Sequence, residues 1–96
     1  MMILITYDVD TISETGAKRL RRVAKACQNY GQRVQNSVFE CVLSEAQFTV
    51  LRHQLESIID KELDSIRFYF MGKNWERHIE TLGKVTSYNI AAELII

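Results

Sequence analysis

A single-domain α+β fold is predicted by three observations. The apolar residues switch between the two-residue period of strands and the 3.6-residue period of helices, in the order strand, helix, strand, helix, strand. Two tetrads, Thr11-Ile12-Ser13-Glu14 and Ser44-Glu45-Ala46-Gln47, match the capping box that opens helices. Ser65 to Met71 alternates cleanly between two side-chain sets. The chain has 96 residues and no repeat, linker or low-complexity stretch, so one domain spans 1–96.

The opening run, Met2-Ile3-Leu4-Ile5-Thr6-Tyr7-Asp8, reads as a buried strand that delivers the Asp8 carboxylate at its end. Backbone there is rigid, and a carboxylate on it is fixed yet reaches solvent, which suits a hard divalent cation such as Mg²⁺ or Mn²⁺. Asp10, two residues on, is equally well explained as a turn former. The first capping box places a helix over about 13–30. Its apolar stripe is Ala17, Leu20, Val23, Ala24, Cys27 and Tyr30, and Gly31 stands where a left-handed C-cap would end it. Residues 33–43 are rich in strand formers, with a kink or turn near Asn36-Ser37, as one bent strand or two short ones. The second box opens a helix to about Asp60 that buries Phe48, Leu51, Leu55, Ile58 and Ile59. In the following strand Ile66, Phe68 and Phe70 face inward, Arg67, Tyr69 and Met71 face outward, and Gly72 ends it. This order is the ferredoxin-like βαββαβ pattern, an antiparallel sheet with both helices on one face.

Two features call for a second copy. Tyr7, Tyr69 and Met71 are expected on the sheet face without helices, which is then too apolar for water. The segment Asn89 to Ile96 is apolar where chains usually fray into polar residues. An additional C-terminal strand at about 90–96, paired with a two-fold partner's sheet, resolves both, so a homodimer is expected.

The formal net charge is zero, but it is segregated. Residues 1–39 carry six Lys/Arg against three acids, and residues 40–96 carry six against nine. All six early cations fall between Lys18 and Arg33 with no acid among them. Lys18, Arg21, Arg22 and Lys25 recur at i, i+3, i+4 and i+7, one row on the outer face of the first helix, and Arg19 lies off it. Like charges so close repel, and an anionic partner would offset the repulsion. With Arg33 they form a candidate surface for the phosphodiester backbone of nucleic acid. Cys27 and Cys41 have neither zinc-site nor disulfide spacing. The N-terminus lacks a basic region ahead of its short apolar run and no segment approaches a membrane span, so a cytoplasmic protein with no membrane partner is expected.

The Ile3-Leu4-Ile5-Thr6-Tyr7-Asp8-Val9 strand, the Lys18-Arg19-Leu20-Arg21-Arg22-Val23-Ala24-Lys25 helix and above all Arg33-Val34-Gln35-Asn36-Ser37-Val38-Phe39-Glu40-Cys41 closely resemble the small CRISPR-associated adaptation nuclease family, the second of the two core spacer-acquisition proteins. The resemblance runs essentially end to end. It implies a ferredoxin-like homodimer with sheets packed face to face, C-terminal strands that extend the partner's sheet, and magnesium-dependent endonuclease activity on double-stranded DNA or RNA. It also implies partnership with the CRISPR integrase subunit in spacer acquisition. Members also act as non-catalytic bridges between integrase dimers. By resemblance the strand-end aspartate falls on Asp8 and its aromatic neighbour on Tyr7. The helix arginine falls on Arg22, with Arg19 as a less secure match, the strand-opening arginine on Arg33, and the Ser-Val-Phe positions on Ser37 and Phe39.

One carboxylate per chain is a meagre magnesium site, so two Asp8 side chains sharing the ion across a dimer axis are expected. His53 and His78 read as surface histidines, which leaves no separate general base and predicts slow cleavage. Ser37 suits a contact to phosphate or the metal shell, or equally a backbone hydrogen bond. Phe39 suits base stacking or packing in the dimer core, and packing is the better reading. A ligand-sensing module of the same fold would leave the basic row without a purpose.

Overall fold

A computed structural model describes residues 1–72 and 79–84. Five strands and two helices follow in the order β1 (Met2–Asp8), α1 (Gly16–Gln28), β2 (Gly31–Gln35), β3 (Val38–Val42), α2 (Glu45–Ile58), β4 (Ser65–Met71) and β5 (Ile79–Gly83). The strands form one antiparallel sheet in the order β2-β3-β1-β4-β5, so β1 lies at its centre. This is the expected ferredoxin-like arrangement, with β5 added at the edge beside β4. Trp75, His78 and the strand expected at about 90–96 lie outside the described residues.

One sheet face carries the core. Ile3, Ile5, Tyr7 and Val9 of the β1 segment, Phe39 and Cys41 of β3, and Ile66 and Phe68 of β4 pack against Val23, Ala26 and Cys27 of α1 and Phe48, Leu51, Leu55 and Ile58 of α2. Strand side chains alternate, so residues 3, 5 and 7 must share a face. That overturns the expected place of Tyr7. It belongs to the core, where it stacks on Phe39, because it is in phase with Ile3 and Ile5. Tyr69 does lie in the opposite set, yet it is buried.

Helix α2 forms as its sequence dictates. Ser44 Oγ accepts the Gln47 N–H and the Gln47 side chain accepts the Ser44 N–H, a complete capping box, and all five expected apolar residues are buried. Helix α1 departs from expectation at both ends. It begins at Gly16, and its N-cap, Thr15, makes no side-chain cap bond. The Thr11–Glu14 tetrad is instead a loop, because the Asp10 carboxylate accepts the Ile12 N–H while Ser13 Oγ donates to the Asp10 carbonyl and accepts from Arg19. Its buried side chains include Ala26 and Arg19, and Ala17 is exposed.

Gly31 is no left-handed cap: it opens β2 opposite Cys41, and the only positive φ among the described residues is at Gly83. A Cβ on Gly31 would stand 2.3 Å from Cys41 Sγ, so close approach requires the glycine. Residues 33–43 resolve into two strands, with the turn at Asn36-Ser37 and a register shift between Arg33 and Gln35.

Candidate metal and nucleic-acid site

Asp8 ends the central strand, paired with Ser65 of β4. Its neighbours in sequence, Tyr7 and Val9, are buried on the helix side, so the exposed Asp8 side chain stands on the other face with Leu4 and Thr6. The register arranges that face in rows. Val42, Met2 and Met71 form an exposed apolar row at one end, and Glu40, Leu4, Tyr69 and Ile79 form the next. Val38, Thr6, Arg67 and Thr81 follow, then Asp8, Ser65 and Gly83. The face therefore runs from apolar to polar, with Asp8 at its polar limit.

Lys18, Arg21, Arg22 and Lys25 are all exposed on α1, and none of them has an acidic partner within ion-pair distance among the described residues. Arg22 and Lys25 line an open groove of about 210 Å³ with Asn29, Gln54 and Ser57, where α1 meets α2. The groove combines two cations with neutral donors and no carboxylate, which suits phosphate oxygens. The carboxylate and the basic helix do not meet within one protomer. Helix α1 lies on one side of the sheet and the Asp8 side chain on the other.

Arg33 is exposed on β2 with its Cζ 5.2 Å from the centre of the Phe39 ring, a cation–π contact at the sheet edge. Phe39 is fully buried in the protomer's own core, and not in a dimer core, because it is in phase with Cys41 on the helix-covered face of the sheet. The Tyr7 hydroxyl donates to the Asn36 carbonyl at 3.3 Å. Burial pushes the Tyr7 phenol up, and the Arg33 charge and hydrogen bond offset part of that. Ser37 is half-buried in the turn, and its carbonyl accepts the Tyr7 N–H at 3.1 Å. Tyr7 and the Asn36-Ser37 turn thus brace the end of β1.

Arg19 is a correction. It is 9% exposed and its guanidinium is bound to Asp64, Nε to Oδ2 at 2.8 Å, so it is turned away from any nucleic acid on the basic row. Periodicity holds the reason: Arg19 sits four residues before Val23, on the buried side of the helix. Asp64 itself escaped sequence reading, because a lone acid before a strand has no local pattern that marks it as buried. Burial by itself would push its carboxyl up. Hydrogen bonds from Arg19, from the backbone N–H of Asp60 and Asp10, and the Arg19 charge more than reverse this and hold it below the usual carboxylate range. The same partner raises the Arg19 guanidinium. Asp10 is a turn former, since its carboxylate is occupied by the Ile12 N–H at 2.9 Å.

Among the described residues no group of three or more His, Cys, Asp and Glu side chains could hold a metal ion. A Mg²⁺ or Mn²⁺ ion that keeps most of its waters accepts one or two carboxylates. The Asp8 oxygens fit such an ion in chemistry and exposure, as a single carboxylate. Among the described residues no helix is long and apolar enough to cross a membrane.

The family model for the CRISPR-associated protein Cas2 matches residues 1–79. The chain is 55% identical to the CRISPR-associated endonuclease Cas2 of Halalkalibacterium halodurans over 95 residues, which cover 99% of each protein. It is 51% identical to the CRISPR-associated endoribonuclease Cas2 of Nitratidesulfovibrio vulgaris over 96 residues, all of this chain and 94% of that one. The crystal structure of Streptococcus pyogenes Cas2 superposes with a TM-score of 0.71 at 61% identity, covering 86% of this chain and 100% of that chain. A five-stranded antiparallel sheet backed by two helices, a strand-end Asp8 and relatives of half-identical sequence that span the whole chain place this protein in the Cas2 family of CRISPR-associated nucleases.

Proposed function

We propose that this chain is a Mg²⁺- or Mn²⁺-dependent endonuclease that works as a cytoplasmic homodimer and serves spacer acquisition together with the CRISPR integrase subunit. The observation that carries the proposal is the exposed Asp8 carboxylate at the end of the central strand, on the sheet face that ends in the apolar Val42, Met2 and Met71 row. Packing that face against a second copy would cover the apolar row and bring a second Asp8 within reach of one ion. A divalent cation held there would supply charge neutralisation at the scissile phosphate and a more acidic bound water. The chain's own share is to hold the carboxylate on rigid backbone and to bind the phosphodiester backbone through Lys18, Arg21, Arg22, Lys25 and Arg33. Duplex DNA suits this row, whose cations read charge rather than base edges. With no histidine placed beside Asp8 among the described residues, cleavage is slow.

A second reading, a non-catalytic DNA scaffold that bridges integrase dimers, is favoured by one observation: the basic row of α1 and Asp8 occupy opposite sides of the sheet. One experiment separates the two. Purified wild-type protein and Asp8→Asn are incubated with duplex DNA and with single-stranded RNA, in Mg²⁺ or EDTA. Cleavage that needs both Asp8 and the metal supports the nuclease. Duplex binding by both proteins without Asp8-dependent cleavage supports the scaffold.

A further inference from the structure

Asp64 is charged, fully buried, and one residue ahead of Ser65, the cross-strand partner of Asp8. Its Oδ1 accepts the Asp10 N–H at 3.0 Å and Arg19 Nη2 at 3.4 Å. Its Oδ2 accepts Arg19 Nε at 2.8 Å and the Asp60 N–H at 2.9 Å. Its backbone carbonyl accepts the Lys84 N–H at 2.7 Å. A single residue thereby ties together the loop after β1, helix α1, the loop after α2 and the chain's exit from β5. Gly83 allows the last tie: it has a φ of 83°, and a Cβ there would stand 2.2 Å from the Asp64 carbonyl oxygen.

Arg19 completes the arrangement. Its Nη2 donates to Ser13 Oγ at 3.0 Å and to the Asp10 carbonyl at 3.4 Å, and its Nη1 donates to Thr15 Oγ1. Asp10 is therefore held at both its N–H, by Asp64, and its carbonyl, by Arg19. Asp8 lies between two anchored points, its ladder pairing with Ser65 and this clamp two residues on. A buried ion pair is a poor source of net stability, because desolvation offsets its attraction. Its directional bonds are what an apolar pair in the same space would lack.

We propose that the Arg19–Asp64 pair is the positioning device for Asp8, holding the end of β1 so that its carboxylate is presented to a divalent cation. The inference rests on the metal-dependent reading above and adds to it two residues that touch neither metal nor substrate. The test is Mn²⁺ binding, followed by electron paramagnetic resonance on the full chain, with Asp8→Asn as the reference for specific binding. Arg19→Lys keeps the charge and loses the fork; Asp64→Asn keeps the shape and loses the charge.

Both variants are expected to bind Mn²⁺ about tenfold more weakly, the scale seen when an outer hydrogen-bond partner of a metal ligand is removed. Amide exchange at residues 8–10 should quicken while Leu51 and Leu55 in α2 keep wild-type protection. Folded variants with wild-type Mn²⁺ affinity overturn the proposal, as does unchanged exchange at residues 8–10. Should the variants not fold, the wild-type protein decides: its Asp10 amide should exchange as slowly as the β1 ladder amides, and exchange at the rate of an unprotected loop overturns the clamp. If wild type shows no Mn²⁺ binding that Asp8→Asn removes, the metal reading fails and takes this inference with it. If it does bind and Arg19→Lys binds equally well, this inference alone fails.

Discussion

Replacing Phe39 tests whether the aromatic cluster beside Asp8 is core or nucleic-acid contact. The ring is fully buried, lies 6.1 Å from the Tyr7 ring at an interplanar angle of 23°, and carries the Arg33 guanidinium 5.2 Å above its centre. Phe39→Leu keeps most of the volume, which limits the packing loss to under about 1.5 kcal/mol. It also removes the ring pair, worth about 0.5–1.5 kcal/mol, and the exposed-side cation–π contact, worth about 0.5–1 kcal/mol. The expected total is about 2–3 kcal/mol, against about 3–5 kcal/mol for Phe39→Ala. With a urea dependence of about 1–3 kcal/mol per molar, Phe39→Leu should lower the unfolding midpoint by about 0.7–3 M. Protein concentration must be held constant, because any self-association would add to apparent stability. A double-mutant cycle with Arg33→Ala should return a coupling of about 0.5–1 kcal/mol. Duplex affinity of the folded Leu variant should equal that of wild type. An unchanged urea midpoint together with weaker duplex binding would show that the ring stacks on a base, and would refute the packing assignment.

Asp8→Asn should abolish metal-dependent cleavage and leave the unfolding free energy within about 0.5 kcal/mol of wild type, since the side chain is exposed; full cleavage by a contaminant-free preparation would remove Asp8 from catalysis. Arg21→Glu with Arg22→Glu should weaken duplex binding equally for every sequence and reduce the salt slope by about 2, read from binding isotherms across salt concentrations; a change in base preference would contradict backbone recognition. Acid should unfold wild type more steeply than Asp64→Asn. The folded Asp64 carboxyl is held below its ordinary value, so its contribution is complete above the unfolded pKa of about 3.9 and is lost as pH falls through the lower folded value; parallel acid-unfolding curves by circular dichroism would refute this. Ending the chain before Ile90 should dissociate the dimer and abolish cleavage with Asp8 intact, and sedimentation of a stable, active monomer would refute the shared site.

Helix α2 was fully legible in the sequence because everything that specifies it is local: Ser44 and Gln47 cap its own first turn, and Phe48, Leu51 and Leu55 repeat at helical spacing. The strand ending at Asp8, the exposed row of Lys18, Arg21, Arg22 and Lys25, and the alternation along β4 were legible for the same reason. The start of α1 was not, although Thr11–Glu14 is an equally good capping pattern. There the Asp10 carboxylate, Ser13 and Arg19 engage one another, and a guanidinium anchored 45 residues away on Asp64 decides which polar groups remain for capping. The strand β5, the burial of Arg19 and the placement of the basic row across the sheet from Asp8 were likewise settled by tertiary structure. Period and capping are properties of neighbouring residues, so the sequence alone determines which segments are helix or strand and which of their faces are apolar. Which charge is paired, and which side of the sheet it occupies, depends on contacts between distant segments. Only the folded chain, where desolvation makes an unpaired Asp64 or Arg19 costly, selects among them.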